Sequence, residues 1–322
     1  MLKIGLLGAG MMGGVHSEMW SKIPDVKVTA ISLIQDKELP KIQKNHPDVR
    51  HFKNEADFFN SGLDAIDITL PTFMHKEYVE KGLAHRLDVI TEKPLCRTVK
   101  EAEEILKLVQ HSKKHVYVAH VIRFWPEYIY LKKILKSEKL GKLRSLYMGR
   151  YTEVPRWSVN DWLLKRPLSG ATPLDLQIHD VDFILSTLGT PDDVHCRVLE
   201  NGLHVFTEYF YKPDSVVVME AGNDLPQAFG FEMTFHAIFE NGMLHFSSRD
   251  KEGLMEFTDE SEKVDLEKHA NHGLGSHIPT SDSYMTELAH FVDCIKQNKP
   301  SEYVPVDTAA RTIKMILENL QE

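Results

Sequence analysis

The run Lys3-Ile4-Gly5-Leu6-Leu7-Gly8-Ala9-Gly10-Met11-Met12-Gly13 decides the fold. Its first half is a short apolar strand, and its second half is a G-x-G-x-x-G opening a helix. Glycine permits the tight turn, lets backbone amides approach a pyrophosphate, and lets the helix lie close on the strand. The bare hexapeptide is a weak signal; directly after a strand, at the head of a strand–helix alternation, it carries far more. Gly8, Gly10, Met11, Met12 and Gly13 are the cofactor-binding residues this reading expects. A glycine-rich turn without a ligand is the other reading of the same residues.

Outward from this stretch, Val26–Ser32, Ala65–Thr69, Leu87–Thr91 and Val116–His120 read as strands buried on both faces. Phe73–Ala84 and Thr98–His111 carry apolar residues at helical spacing, and Thr98 with Glu101 makes a capping box. The alternation predicts a doubly wound parallel sheet, a dinucleotide-binding domain over residues 1–122. After that the texture changes. A helix over Pro126–Lys136, a strand over Arg144–Val154 and a helix over Pro173–Leu188 precede a series of strands: His204–Tyr211, Ser215–Ala221, Phe229–Phe239 and Met243–Ser248. Asn241-Gly242 predicts the hairpin turn between the last two. Strands in succession without helices predict an open, meander-like, mainly antiparallel sheet. With closing helices over Ser283–Gln297 and Asp307–Leu320, residues 123–322 read as an α+β domain.

Composition narrows the function. The 322 residues, 42% hydrophobic and 26% charged, suit a soluble protein of two domains. A net charge of −9 argues against nucleic acid or an anionic membrane as partner. No run reaches the ~18 apolar residues of a membrane span. The apolar run Ile4–Val15 is broken by glycines, and no leader cleavage pattern follows it. Cys96, Cys196 and Cys294 form no CxxC pair, so neither disulfides nor a zinc cage is expected, and a cytoplasmic location is. His269, His272 and His277, in the polar stretch Asp259–Ser281, are irregularly spaced and read as a loop cluster; no metal site is expected.

Four further groups of residues carry chemistry. Ser32 stands where a carboxylate would hold the adenosine ribose, and Lys37 follows five residues on. A hydroxyl with a nearby cation suits a 2′-phosphate, which tips the choice between NAD and NADP toward NADP; Lys37 reads equally as a solvated helix residue. Glu92-Lys93-Pro94 follows a strand, and ligands bind beyond the carboxyl ends of such strands, so Lys93 can steady negative charge on a substrate oxygen. Pro71 and His75 should line the same mouth with Glu92. Taken alone, Lys93 is also an ordinary surface lysine. Asp175 and His179 are one helical turn apart, an arrangement for general acid–base work, although Asp175 also fits an N-terminal helix cap. Arg123, Arg156 and Trp157 could bracket a sugar, or serve at a surface.

Taken together, GAGMMG at 8–13, T-E-K-P-L at 91–95, D-L-Q-I-H-D at 175–180 and the later Tyr284…Glu287…Phe291 resemble the Gfo/Idh/MocA family of NAD(P)-dependent oxidoreductases, over essentially the whole chain. The resemblance implies a Rossmann domain followed by an α+β domain whose open sheet packs on a partner subunit, in a homodimer or homotetramer. It implies that Lys93, Asp175 and His179 are catalytic. His179 would accept the proton of a sugar or polyol hydroxyl while hydride leaves its carbon for nicotinamide, with Lys93 on the same oxygen. Two positions depart from the family pattern: Ser32 replaces the ribose-binding carboxylate, and Thr72 follows Pro71 where asparagine is common. Two competing classes remain, a dinucleotide-binding sensor without turnover and a reductase of a non-sugar carbonyl or unsaturated substrate. The Lys93, Asp175 and His179 trio counts against the sensor.

Overall fold

The computed structural model describes residues 1–199, 202–266 and 283–320. The chain forms two compact units, Met1–Phe124 with His272–Ala310 and Trp125–Asn271 with Arg311–Glu322.

The first unit holds six parallel strands, β1 (Leu2–Leu7), β2 (Val26–Ser32), β3 (Arg50–His51), β4 (Ala65–Ile68), β5 (Asp88–Glu92) and β6 (Val116–Ala119), in the order β3-β2-β1-β4-β5-β6. Its helices are α1 (Met11–Trp20), α2 (Leu39–Asn45), α3 (Glu55–Phe59), α4 (Thr72–Ala84) and α5 (Val99–His111). Strand order reverses between β1 and β4, and that switch point opens a crevice at the carboxyl ends of the strands. Ile4, Leu6, Val28, Ala65 and Ile90 have no exposed surface, as strands covered on both faces require. The doubly wound parallel sheet expected from the sequence is therefore present.

The first boundary falls between Phe124 and Trp125, and the chain later comes back. In the returning helix Ser283–Lys296, Leu288, Phe291 and Val292 join the core made by Trp20, Tyr117 and Phe124. The Tyr117 hydroxyl donates to the carbonyl of Lys299 at 2.8 Å. A single cut at 122/123 thus leaves out a segment that covers the parallel sheet.

The second unit is built on an eight-stranded sheet: β7 (Leu143–Glu153), β8 (Asp193–Val198), β9 (His204–Tyr211), β10 (Ser215–Leu225), β11 (Phe231–Phe239), β12 (Gly242–Ser247), β13 (Met255–Phe257) and β14 (Ser261–Lys263). The order is β14-β13-β12-β11-β7-β10-β9-β8. This is not a simple meander. β7 lies between two meanders, parallel to β10 and antiparallel to β11. The β11–β12 hairpin turns on Glu240-Asn241, with Phe239 paired to Gly242, one residue earlier than the Asn-Gly signal indicates. Gly242 serves a close approach instead, because a Cβ there would stand 2.5 Å from the carbonyl of Phe257.

One face of this sheet carries Leu146, Met148, Val217, Met219 and Phe235, all buried. Tyr128 of the helix Pro126–Ser137 packs edge-on against Phe235 and Phe183. The other face, given by side-chain alternation, is polar at its centre. There the Tyr147 hydroxyl donates to Glu220 at 3.0 Å, and His204 lies 2.9 Å from both Glu220 and Asp224. Phe206 and Ile238 on that face are 39% and 44% exposed. Among the described residues no helix is long and apolar enough to cross a membrane.

Candidate active site

The glycine loop between β1 and α1 has the form the sequence predicts. Gly8 has φ of 94°, and its N–H donates to the Ser32 carbonyl at 3.0 Å. A Cβ on Gly13 would fall 2.5 Å from the Gly8 carbonyl and 2.7 Å from Thr69 Oγ1, so α1 packs here only with glycine. At Gly10 a Cβ would meet nothing within 4 Å. Gly10 caps α1 with no side-chain bond, and no acidic residue stands in the first turn. An open cradle with amides at a helix start and no competing carboxylate fits a dinucleotide pyrophosphate. Met11 is 53% exposed beside it.

At the end of β2, Ser32 is partly exposed and Lys37 exposed, in a short 3-10 turn over Asp36–Glu38. The nearby carboxylate, Asp36, is engaged by Lys53 at 2.9 Å and His51 at 3.5 Å. The Lys53 ammonium holds the Asp36 carboxyl below its usual range.

The Lys93 loop is braced from both sides. Lys93 is partly exposed at the carboxyl end of β5. Its backbone N–H donates to Glu92 Oε2 at 3.1 Å. His75, 1% exposed, sits beneath: Nδ1 is 2.7 Å from the Pro94 carbonyl and Nε2 is 2.8 Å from the Leu70 carbonyl. Its ring therefore ties the β5 end to the turn before Pro71, where α4 begins, and is spent on backbone rather than on the mouth. Burial pushes its pKa down. Glu92 is buried in the same way, so it too supports the loop rather than lining it.

Asp175 and His179 do not share one regular α-helix. Pro173–Gln177 is a π-helical turn, and the α-helix runs over Ile178–Thr187. π-turns of this kind recur at functional sites. Asp175 and His179 are both partly exposed, whereas Leu174, Leu176, Ile178 and Asp180 are buried. The buried side anchors the segment. Arg150 of β7 grips Asp180 through Nε and Nη2, each at 2.9 Å, and Nη2 also lies 3.2 Å from the Tyr128 hydroxyl.

The three residues expected to bracket a sugar part company. Arg156 and Trp157 are exposed in the loop after β7. Arg123 is not available for such a role: it is buried, with Nη1 donating to the Tyr303 carbonyl at 2.8 Å and Nη2 to Thr308 Oγ1 at 2.9 Å. Its guanidinium locks the turn Val121–Phe124 onto the returning segment. Among the described residues no cluster of His, Cys, Asp or Glu could hold a metal. His269, His272 and His277 lie outside the described residues.

Sequence reading missed the support under this site. His16, Asp67 and Trp20 form a buried hydrogen-bonded group behind the glycine loop. The available signal was Asp67 itself, a charge inside the apolar strand Ala65-Ile66-Asp67-Ile68.

Inositol 2-dehydrogenase of Pseudarthrobacter chlorophenolicus is 26% identical over 260 residues, covering 76% of this chain and 73% of that protein. The NADP⁺-dependent scyllo-inositol 2-dehydrogenase of Bacillus subtilis is 22% identical over 65% of this chain and 58% of its own. In fold, the chain is similar to levoglucosan dehydrogenase solved with NADH and levoglucosan, with a TM-score of 0.84 at 16% identity over 99% and 96% of the two chains. Residues 2–120 match the oxidoreductase family with an NAD-binding Rossmann fold, and residues 128–244 match the C-terminal domain that goes with it. By those matches the chain belongs to the Gfo/Idh/MocA family of oxidoreductases.

Proposed function

We propose that this oxidoreductase is an NAD(P)-dependent dehydrogenase of a secondary alcohol on a sugar, inositol or related polyol. The observation that carries the reading is the pairing, within one unit, of an open glycine cradle with a lysine held at the end of β5. The inositol dehydrogenases among its relatives support the substrate class. Bound nicotinamide supplies the hydride acceptor. Gly8 to Gly13 bind the pyrophosphate, Lys93 holds the reacting oxygen and stabilises its developing charge, His179 takes the hydroxyl proton, and Asp175 orients the imidazole. In this reading the unit with the parallel sheet binds cofactor, and the unit with the eight-stranded sheet binds substrate and assembles. The test is turnover of a panel of sugars and inositols with NAD⁺ and NADP⁺; no oxidation of any member would defeat it.

For the cofactor, NADP is the reading favoured by Ser32, Lys37 and the engagement of Asp36 with Lys53. Lys37→Ala should weaken NADP⁺ by roughly tenfold or more and leave NAD⁺ unchanged, as loss of a charge-assisted bond does. Equal effects on both would return Lys37 to solvent. The exposed face bearing Phe206 and Ile238 supports pairing with a second copy, as homodimer or homotetramer, burying over ~1,000 Å². Sedimentation showing only monomer at micromolar concentration would remove that element. The free cysteines, with Cys96 and Cys294 buried, suit a cytoplasmic setting.

A further inference from the structure

The helix that starts at the dinucleotide loop also reaches the lysine loop, through one histidine. His16 lies on α1, three residues past Gly13, and its side chain has no exposed surface. Its Nδ1 is 2.9 Å from Asp67 Oδ2 on β4, and its Nε2 is 3.2 Å from Glu92 Oε1 on β5. Trp20 Nε1, one turn further along α1, donates to the same Asp67 oxygen at 2.7 Å. The second Glu92 oxygen accepts the backbone N–H of Lys93. Hydrogen bonds thus run from Trp20 through Asp67 to His16 and from Glu92 to the peptide of Lys93, and the 3.2 Å ion-pair contact between His16 Nε2 and Glu92 joins the two.

A carboxylate within 3.2 Å of each ring nitrogen favours the imidazolium, since a carboxylate offers only acceptors. Nothing in the fold calls for such a group there. A helix face against a parallel sheet is ordinarily apolar, and apolar side chains of similar volume pack there at no desolvation cost. The group is instead placed where it fixes the strand end from which Lys93 projects. His75 holds the far side of the same loop through Pro94, so Lys93 stands between two anchored neighbours.

We propose that His16 is a positioning residue for Lys93, clamping Glu92 so that the lysine loop is held in register with the helix that carries the cofactor cradle. The proposal rests on Lys93 acting on the substrate oxygen. His16 faces Asp67 and Glu92 directly, and Lys93 and His75 are the other charged or titratable groups that bear on Glu92.

Two substitutions separate the contacts. His16→Asn places an amide near the Nδ1 position, toward Asp67, and abandons Glu92. His16→Gln reaches toward the Nε2 position and keeps a donor for Glu92. His16→Asn should lower kcat by roughly tenfold or more, the scale of a small misplacement at a reacting centre. NADP(H) and NAD(H) dissociation constants should stay within about twofold of the parent, and His16→Gln should restore most of kcat. Combined with Glu92→Gln, the His16→Asn loss should not multiply, because both act on one link. A full multiplicative loss, or equal kcat in the Asn and Gln variants, would overturn the proposal. If His16→Asn does not fold, Glu92→Gln decides instead: kcat should fall by a similar factor with nucleotide affinity kept, and parental kcat would overturn the proposal. Nitrogen-15 spectra of the imidazole in the cofactor-free protein should show both ring nitrogens protonated at neutral pH, and a neutral ring there would also overturn it. That measurement needs no turnover, so a parent enzyme that oxidises nothing defeats the dehydrogenase reading while leaving the histidine assignment to be judged by itself.

Discussion

Burial alone would lower the pKa of His16, but the Asp67 and Glu92 carboxylates outweigh it and hold the imidazolium well above its usual 6.5. Glu92 mirrors this: burial pushes it up, and the His16 contact more than offsets that, leaving it below 4.5. A histidine raised in the folded state contributes stability that is complete below about pH 6.5 and is lost as pH climbs through the folded value. The glutamate's share is present above about pH 4.5 and fades as pH falls through its own folded value. Urea midpoints of the parent should therefore decline from neutral toward alkaline pH, and His16→Gln should be less stable at neutral pH with a flatter alkaline slope. A second test concerns the proposed chemistry. His179→Ala should cost ~10²–10⁴ in kcat, and Lys93→Met at least as much, while nucleotide still binds. Near-parental turnover in both would return the sensor to consideration. What could be read at this scale was what lies close in sequence: the glycines, Lys93 beside Pro94, Asp175 near His179. His16 and Asp67 are 51 positions apart, and Arg123 finds its partners 180 and 185 positions away. Spacing along the chain cannot report such pairs, so the sequence leaves Arg123 open between a ligand and a surface role.

At the scale of elements, the strands of the parallel sheet were legible because burial on both faces leaves unbroken apolar runs. The short α2 and α3 were not, having too few turns to show a period. The segment from Pro173 read as one α-helix because a π-turn adds a residue without changing the apolar character around it. The position of β7 inside the second sheet was hidden for another reason: alternation says which face a residue takes, never which strand is its neighbour. The Arg150–Asp180 pair that anchors the Ile178–Thr187 helix gives this scale its prediction. Both side chains are about 95% or more buried. Arg150→Met should destabilise by ~3–5 kcal/mol, since it strands a buried carboxylate. Adding Asp180→Leu should recover part of that loss, measured as the urea midpoint. If the single change is silent, the pair does not hold the helix.

For the whole molecule, ligand linkage gives the plainest check. Nucleotide at about 100 times its dissociation constant should add roughly 2.7 kcal/mol and raise the melting temperature by several degrees. Gly10→Val should abolish the shift while the protein stays folded, because the space that a side chain would fill there is open. A nucleotide shift that survives Gly10→Val would place the pyrophosphate elsewhere. The division of the chain into two sheets was legible from the change in texture after residue 122. The return of Ser283–Lys296 was not, since an amphipathic helix announces an apolar face without naming the sheet it covers. That return has a bearing on how the protein is made. The parallel sheet is synthesised first, yet Leu288, Phe291 and Val292 complete its core. At about 5–20 residues per second, the nascent sheet waits many seconds on the ribosome with part of its apolar surface uncovered. The part translated earliest is among the last to be sealed, and its yield in a cell depends on what shields that surface in the interval.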